Sequence, residues 1–477
     1  MTDTNWWDTI QLADTHGLPK YRQLEESVVA RMREGGFAAH EKLPPVRDLA
    51  WRLGVTPGTV QRAYRALTEA GHAKATVGRG TFLVGGGPVE EAPRPSPFRI
   101  PLEWDHPETD AEDGPISLYA PRLPDVGQVA AVRRALSQVG SASPSALLDY
   151  PTRAGFRRAR QAVADWFGDD LLGPVDEADI VLTHGGQNAV LLVLLTLLSG
   201  PKPVVIVEEV AYAGFRRAAE LLRAQVVGVP MDEDGVIPEA LDEVARATGA
   251  IAFCTMPEAH NPTAILTPLK RRRKIAAIAA ARGLQILEDG CFRTVENAAP
   301  SYRQLAPERT WHINSLSKVL TPALRTGFAI APPGQGDRLK RAAEFSYFGL
   351  ARPLGEAVES LLSDPTSKAL SARIQARMED YLSVAVRGLA GFQFNTQPHV
   401  PYVWLTLPEG WRVTGFCTAL EREGVLVRPG DEFAIDPARA PSAIRVSVNA
   451  QVPLEEFASA ILRMRRLLQR PPEALTI

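Results

Sequence analysis

Residues 311–318 read Trp-His-Ile-Asn-Ser-Leu-Ser-Lys. Trp311–Asn314 is a short β-favourable run, and Ser315, Ser317 and Lys318 follow at its carboxyl end. A lysine after a strand is usually just solvated. Here Arg325 follows closely, in Thr-Pro-Ala-Leu-Arg-Thr-Gly at 321–327. Two hydroxyls, a lysine and an arginine at one strand end can hold a phosphate through charge-assisted hydrogen bonds. The lysine amine then remains to form an imine with an aldehyde.

Working outward, further β-favourable runs stand at 179–183, 204–207, 250–254 and 285–288, with helical stretches at 189–198, 215–224 and 269–281 between them. This alternation predicts an α/β fold with a mostly parallel sheet. Ligands of such sheets sit at the carboxyl ends of the strands. Asp289 ends one strand; an unpaired buried carboxylate would be costly there, but it becomes a partner for a protonated pyridine nitrogen. Thr183-His184-Gly185-Gly186-Gln187-Asn188 leads from a strand through glycines into a helix, whose first N–H groups make an anion site. Tyr212 follows the 204–207 strand and can stack on a flat ring or belong to the core. Asn261-Pro262-Thr263 offers an amide to a phenolic oxygen. Arg445, in Ile-Arg-Val-Ser-Val at 444–448, is a lone cation amid apolar alternation. It calls for an anion: a ligand carboxylate held bidentately, or a structural ion-pair partner.

At 477 residues the chain is too long for one ordinary core. With 53 basic against 55 acidic residues, total charge says nothing of nucleic acid; only its distribution can. Cys254, Cys291 and Cys417 exclude a disulfide scaffold and a cysteine-rich zinc site, and they suit a reducing cytoplasm. The first ten residues lack the basic and apolar regions of a signal peptide. The longest apolar run, 189–198 with Thr196 inside it, is far short of the ~20 residues of a membrane span, so no membrane partner is expected.

Residues 85–114 are dense in proline and glycine and carry eight acidic residues against two basic. This is a linker composition, and as a flexible coil about 30 residues reach roughly 30 Å. It divides the chain into 1–84, the linker 85–114, and 115–477. In the front part the spacing predicts a helix over 19–34, a short helix over 46–53 and a turn through Gly54 and Val55. A second helix, capped by Thr56 with Pro57 at its first position, is predicted to reach about Ala70. Two strands at 73–77 and 81–84 flank Gly78-Arg79-Gly80. This is a helix-turn-helix with a wing. Between Lys42 and Arg79 seven basic residues face two acidic ones, a net +5. Thr59, Gln61, Arg62 and Arg65 are the candidates for DNA contact on the second helix.

Residues 19–84 resemble the winged helix-turn-helix of the GntR regulators. The resemblance rests on Leu43-Pro44-Pro45-Val46-Arg47-Asp48-Leu49-Ala50, on Gly54-Val55-Thr56-Pro57-Gly58-Thr59-Val60-Gln61-Arg62-Ala63, and on Gly78-Arg79-Gly80-Thr81-Phe82. It implies that Arg47, Thr59, Arg62, Arg79 and Gly80 touch DNA. Pro57-Gly58 depart from the family's usual polar residues and imply a different base preference.

Residues 115–477 resemble the fold-type I pyridoxal-phosphate enzymes of the aspartate aminotransferase group, with a smaller C-terminal α+β subdomain. Gly186-Gln187, Tyr212, Asn261-Pro262-Thr263, Asp289, Ser315, Ser317, Lys318, Arg325 and Arg445 fall in the family's order. The resemblance implies pyridoxal 5'-phosphate in an aldimine with Lys318. It also implies a homodimer, domain-swapped or not, in which Tyr150 reaches the phosphate of a neighbouring subunit. Cys291 and Phe292 stand where the family usually has a tyrosine, and Ala264 where glycine is common. The fusion of both parts resembles the MocR/GabR regulators. It implies a transcription factor that binds a double-stranded DNA operator and senses a small amino compound by exchange at Lys318, with Arg445 holding the effector's anionic group. A working aminotransferase with an accessory DNA-binding module is the second reading. A ligand-binding protein without the cofactor is a third.

Overall fold

Leu24, Val28 and Met32 repeat at helical spacing and are almost wholly buried, which turns one face of the helix Lys20–Arg33 inward. They pack on Leu49 and Ala50 of the short helix Val46–Arg52 and on Val60, Ala63, Tyr64 and Leu67 of the helix Pro57–Glu69. Thr56 caps the last of these, its Oγ1 accepting from the Thr59 amide at 3.3 Å. Strands Ala73–Thr76 and Gly80–Leu83 pair antiparallel, and the segment before the second helix joins them, Leu43 N–H donating to Thr81 O (2.8 Å). Trp7 and Phe37 complete this core in an aromatic group with Trp6, whose ring lies 4.8 Å from that of Trp7. The sequence reading had assigned no structure to this amino-terminal pair of tryptophans.

This computed structural model describes residues 6–12, 18–33, 37, 41–69, 72–76, 80–84, 114–139, 148, 150, 156–292 and 299–470. The chain divides into two units, Met1–Leu102 and Glu103–Ile477. Nearly all of the acidic Pro/Gly stretch lies outside the described residues. No helix among the described residues is long and apolar enough to cross a membrane.

The large unit is built on a seven-stranded sheet. Its order is Ile180–Thr183, Gly327–Ile330, Thr310–Ser315, Gln285–Asp289, Ala252–Thr255, Val204–Glu208, Gln225–Val229. All neighbours run parallel except Gly327–Ile330, which is antiparallel to both of its partners. Both faces are covered, which is why the strands read as unbroken apolar runs. Val205, Val207, Leu287 and Ile313 pack to one side, and Ile206, Phe253 and Ile286 to the other. The strands Gln225–Val229 and Gly327–Ile330 were not anticipated. The expected strands are present, with ends displaced by one or two residues.

A second sheet of four strands orders Phe394–Asn395, Tyr402–Thr406, Ala443–Ser447 and Arg428–Pro429, all antiparallel. Helices Thr366–Gly388, Val413–Arg422 and Leu454–Leu468 cover it in a separate apolar core. This is the smaller α+β part. Ile116–Ser117 adds a short parallel pairing to Val425–Leu426, so the chain enters the large unit along this subdomain.

Candidate functional site

The carboxyl ends of the parallel strands and the edge of the smaller sheet enclose a cavity of about 290 Å³. Gly186, Gln187, Tyr212, Asn261, Asp289, Ser315, Ser317, Lys318, Arg325 and Arg445 all line it. Residues up to 259 positions apart in sequence (Gly186 to Arg445) are thus gathered in one place. Tyr150 is not among them. It is 81% exposed and its ring lies 6.1 Å from Phe348, on a different surface of the chain.

Each side chain is fixed by its element. Asp289 ends its strand, is buried, and accepts the amide of Cys291 at 2.9 Å. Burial raises its carboxyl above the ordinary value. Lys318 follows its strand, and burial, then the charge of Arg445, lower its amine to about 8. Its Nζ stands 5.9 Å from the centre of the Phe292 ring. The Tyr212 hydroxyl donates to Gln187 Oε1 (2.8 Å), while Gln187 Nε2 donates to Gly214 O (3.0 Å), locking both residues at the cavity wall. The helix Gly185–Leu197 begins with Gly185 at φ +83, and a Cβ there would stand 3.1 Å from Arg325 Nη2. Glycine permits both the turn and the close approach of the guanidinium.

Arg445 is buried on its strand, opposite Trp404 on one side and Arg428 on the other. Its Nη1 donates to Asn261 Oδ1 (2.6 Å) and its Nη2 to the Tyr119 carbonyl (2.8 Å), while Nε is buried with no hydrogen-bond partner. Burial and then Arg428 lower its pKa to about 10, so it stays charged at neutral pH. Among the described residues, Lys318, Asp289 and Arg445 make no salt bridge. An isolated buried charge is expensive; the buried Asp289 and Arg445, with the half-buried Lys318 beside them at one cavity, suit a ligand that brings complementary charge.

Sequence reading missed Tyr119, Arg428 and Glu432. Arg428 Nε donates to Glu432 Oε2 (2.8 Å), Glu432 Oε1 accepts the Tyr119 hydroxyl (2.6 Å), and the Tyr119 ring faces the Arg428 guanidinium at 4.9 Å. Tyr119 and Arg428 line the cavity. The only sequence signal was the i,i+4 spacing of Arg428 and Glu432. Cys291 and Phe292, noted as departures, also line it. The Cys291 thiol lies 3.7 Å from Ser315 Oγ, and burial raises its pKa well above the ordinary value, which makes it a poor thiolate.

In the front unit, Arg47, Gln61, Arg62 and Arg65 are exposed and Thr59 is half-buried, its hydroxyl 3.0 Å from that of Thr56. Gly80 opens the second wing strand at φ +114, where a Cβ would meet Lys42 Cε at 2.8 Å. Lys42 thus lies beside the wing. Arg79 falls outside the described residues.

Comparison with known proteins finds a family model on each of the two parts. The family "Aminotransferase class I and II" matches residues 120–463, and "Bacterial regulatory proteins, gntR family" matches residues 20–83. The chain belongs to the class I and II aminotransferase family, in the MocR-type form that carries a GntR domain in front. It is similar to an HTH-type transcriptional regulator of Bacillus subtilis, YdeF, with 26% identity over 97% of each chain. It is also similar to the probable rhizopine catabolism regulatory protein MocR of Rhizobium meliloti, with 26% identity over 68% of each chain. Among solved structures, an archaeal alanine:glyoxylate aminotransferase superposes with a TM-score of 0.66 at 26% identity, over 74% of this chain and 91% of its own. The MocR-type chain is therefore a DNA-binding regulator with an aminotransferase-like domain, of a fold family that depends on pyridoxal phosphate.

Proposed function

We propose that this regulator binds pyridoxal 5'-phosphate at Lys318 and senses a small amino compound there. One observation carries the reading: Asp289 and Arg445, both buried, and the half-buried Lys318 border a single cavity with no opposite charge bonded to them among the described residues. The donor set fits that cofactor. Asp289 would hold a protonated ring nitrogen. Arg325, Ser315, Ser317 and the helix start at Gly186-Gln187 would hold the phosphate. Asn261, whose Oδ1 already accepts from Arg445, keeps its amide protons for the phenolic oxygen. Tyr212, fixed by Gln187, offers a ring face. Tyr150, away from the cavity of its own chain, would serve the site of a second subunit in a homodimer.

Bound there, the cofactor supplies an aldehyde carbon for which Lys318 and an incoming amine compete. Arg445 would take the anionic group of that compound through its unpartnered Nε edge. Arg445 also holds the Tyr119 carbonyl, and Tyr119 lies five residues beyond the end of the acidic linker. A ligand anion on Arg445 thus acts on the segment through which the linker enters the large unit. Arg47, Thr59, Gln61, Arg62, Arg65, Arg79 and Gly80 would carry the operator contacts, which places the protein's work in the cytoplasm. Lys42 joins them on the strength of its place beside the wing.

The test is titration of the holoprotein with amino compounds, followed by visible absorbance and DNA binding together. Lys318→Ala should abolish the visible band and the ligand response while DNA affinity largely survives. A purified protein that stays colourless, and unchanged in mass after pyridoxal phosphate and borohydride, overturns the reading. Steady release of a keto acid would instead support the enzyme reading.

A further inference from the structure

Lys318 faces more than one chamber. Beside the main cavity lies a second of about 30 Å³, and Pro121, Cys291, Phe292 and Lys318 line both. Beyond this shared wall the two differ in chemistry. The main cavity holds Arg445, Arg428, Asp289 and Arg325. The side chamber is lined by Leu123, Val319, Ile374, Met378 and Pro401, with Gln375 and His399 as its polar members. Ile374 and Met378 are one turn apart on the helix Thr366–Gly388 and are buried. They form a fixed apolar surface.

Resting on the proposed reading of Lys318, we infer that the effector is an α-amino acid with a small branched aliphatic side chain, and that the side chamber holds that side chain. The amine is placed by Lys318, the carboxylate by Arg445 in the main cavity, and the third substituent by the chamber on the other side of the Lys318–Phe292 wall. Three separate points of attachment on one carbon select a single hand. At ~10–15 Å³ for each water-sized group, the chamber admits roughly two or three methyl-sized groups, the part of such a side chain beyond Cβ. This suits valine, leucine or isoleucine and excludes an indole. An ω-amino acid leaves the chamber unfilled.

The experiment uses the full-length protein, first shown to be yellow and to gain cofactor mass after borohydride; failure at that step defeats the cofactor reading itself. Calorimetry and visible absorbance then compare L-leucine, D-leucine, L-alanine, 4-aminobutyrate and taurine. The expected result is that one enantiomer of leucine binds at least about tenfold more tightly than alanine, since each methylene in an apolar pocket is worth ~10-fold or more. 4-Aminobutyrate and taurine should bind more weakly still. Met378→Phe, which fills the chamber, should lower leucine affinity by about tenfold or more and leave alanine affinity near the parent's. Equal affinity for both hands of leucine, or tighter binding of 4-aminobutyrate or taurine, overturns the inference. So does an equal loss for leucine and alanine in Met378→Phe, with Met378→Leu as the control that the helix still folds.

Discussion

Lys318 is held ready for chemistry by its surroundings. Burial, then the charge of Arg445, bring its amine to about 8. Only the neutral amine attacks an aldehyde. The sign follows: the depressed pKa makes the reactive form abundant as pH rises through about 8, well below the range of an exposed lysine. Uptake of pyridoxal phosphate by the cofactor-free protein should therefore speed up through pH 8 and level off above it, as stopped-flow absorbance would measure. A midpoint near that of free lysine would contradict the lowered pKa. Arg445→Met removes the second cause, so the midpoint should move upward. The same variant tests what Arg445 is for. Removing one partner of a buried ion pair typically costs ~3–5 kcal/mol. Among the described residues Arg445 is hydrogen-bonded only to neutral oxygens, those of Asn261 and Tyr119, and both residues border the cavity, where water can replace it. The thermal midpoint of Arg445→Met should stay close to the parent's while effector affinity falls by about two orders of magnitude, the lower part of the ~2–5 kcal/mol range for a lost buried charge pair. Loss of the fold with Arg445→Met would make it a structural cation instead.

At the scale of elements, the start of the helix Gly185–Leu197 is constrained in both backbone and space. Gly185 combines φ +83 with Arg325 Nη2 at 3.1 Å from where a Cβ would stand, whereas a Cβ on Gly186 would meet nothing closer than Cys291 Sγ at 3.4 Å. Gly185→Ala should weaken pyridoxal phosphate binding by about tenfold or more, since a strained φ costs of order 1–3 kcal/mol and the guanidinium must also move. Gly186→Ala should have a much smaller effect. Fluorescence titration with the cofactor distinguishes them, and equal effects would deny Arg325 its place at this turn. The strand-to-helix turn was legible in the sequence because glycines between an apolar run and a helix have few other readings. The inner parallel strands were legible because both their faces are buried; the parallel edge strand Gln225–Val229, only partly buried, was not. Gly327–Ile330 was not, since four residues with a glycine carry no period. Arg428 and Glu432 escaped because antiparallel register, rather than proximity in sequence, sets Arg428 opposite Arg445. The side chamber escaped because its floor comes from the distant helix Thr366–Gly388. The aromatic group of Trp6, Trp7 and Phe37 joins segments on either side of the first helix and has no local signature.

For the whole molecule, the sensing proposed at Lys318 requires a route from the cavity to the DNA-reading unit. The linker is covalently continuous with the segment Ile116–Arg122. That segment is tied down by Ile116 N–H to Gly424 O (2.9 Å), Leu118 N–H to Leu426 O (2.7 Å) and Arg122 N–H to Val448 O (3.0 Å). Between these ties stands Tyr119. Its carbonyl is held by Arg445, and its hydroxyl by Glu432, whose other oxygen holds Arg428. Two polar ties of Tyr119 thus lead to arginines of the cavity, while Ser447 Oγ makes a longer contact of 3.5 Å to the same carbonyl. A ligand shifts an equilibrium only through a difference in its interactions with the two states, and an anion on Arg445 changes the bond to the Tyr119 carbonyl directly. Hydrogen exchange at the amides of Ile116, Leu118 and Arg122 should therefore change severalfold when effector binds the holoprotein. Tyr119→Phe keeps the backbone carbonyl and the ring but cuts the tie to Glu432. It should keep most of the effector affinity, read from visible absorbance, while the effector-dependent change in DNA affinity shrinks. Unchanged exchange in this segment, together with a full DNA response in Tyr119→Phe, would route the signal elsewhere, through the smaller sheet or a subunit interface.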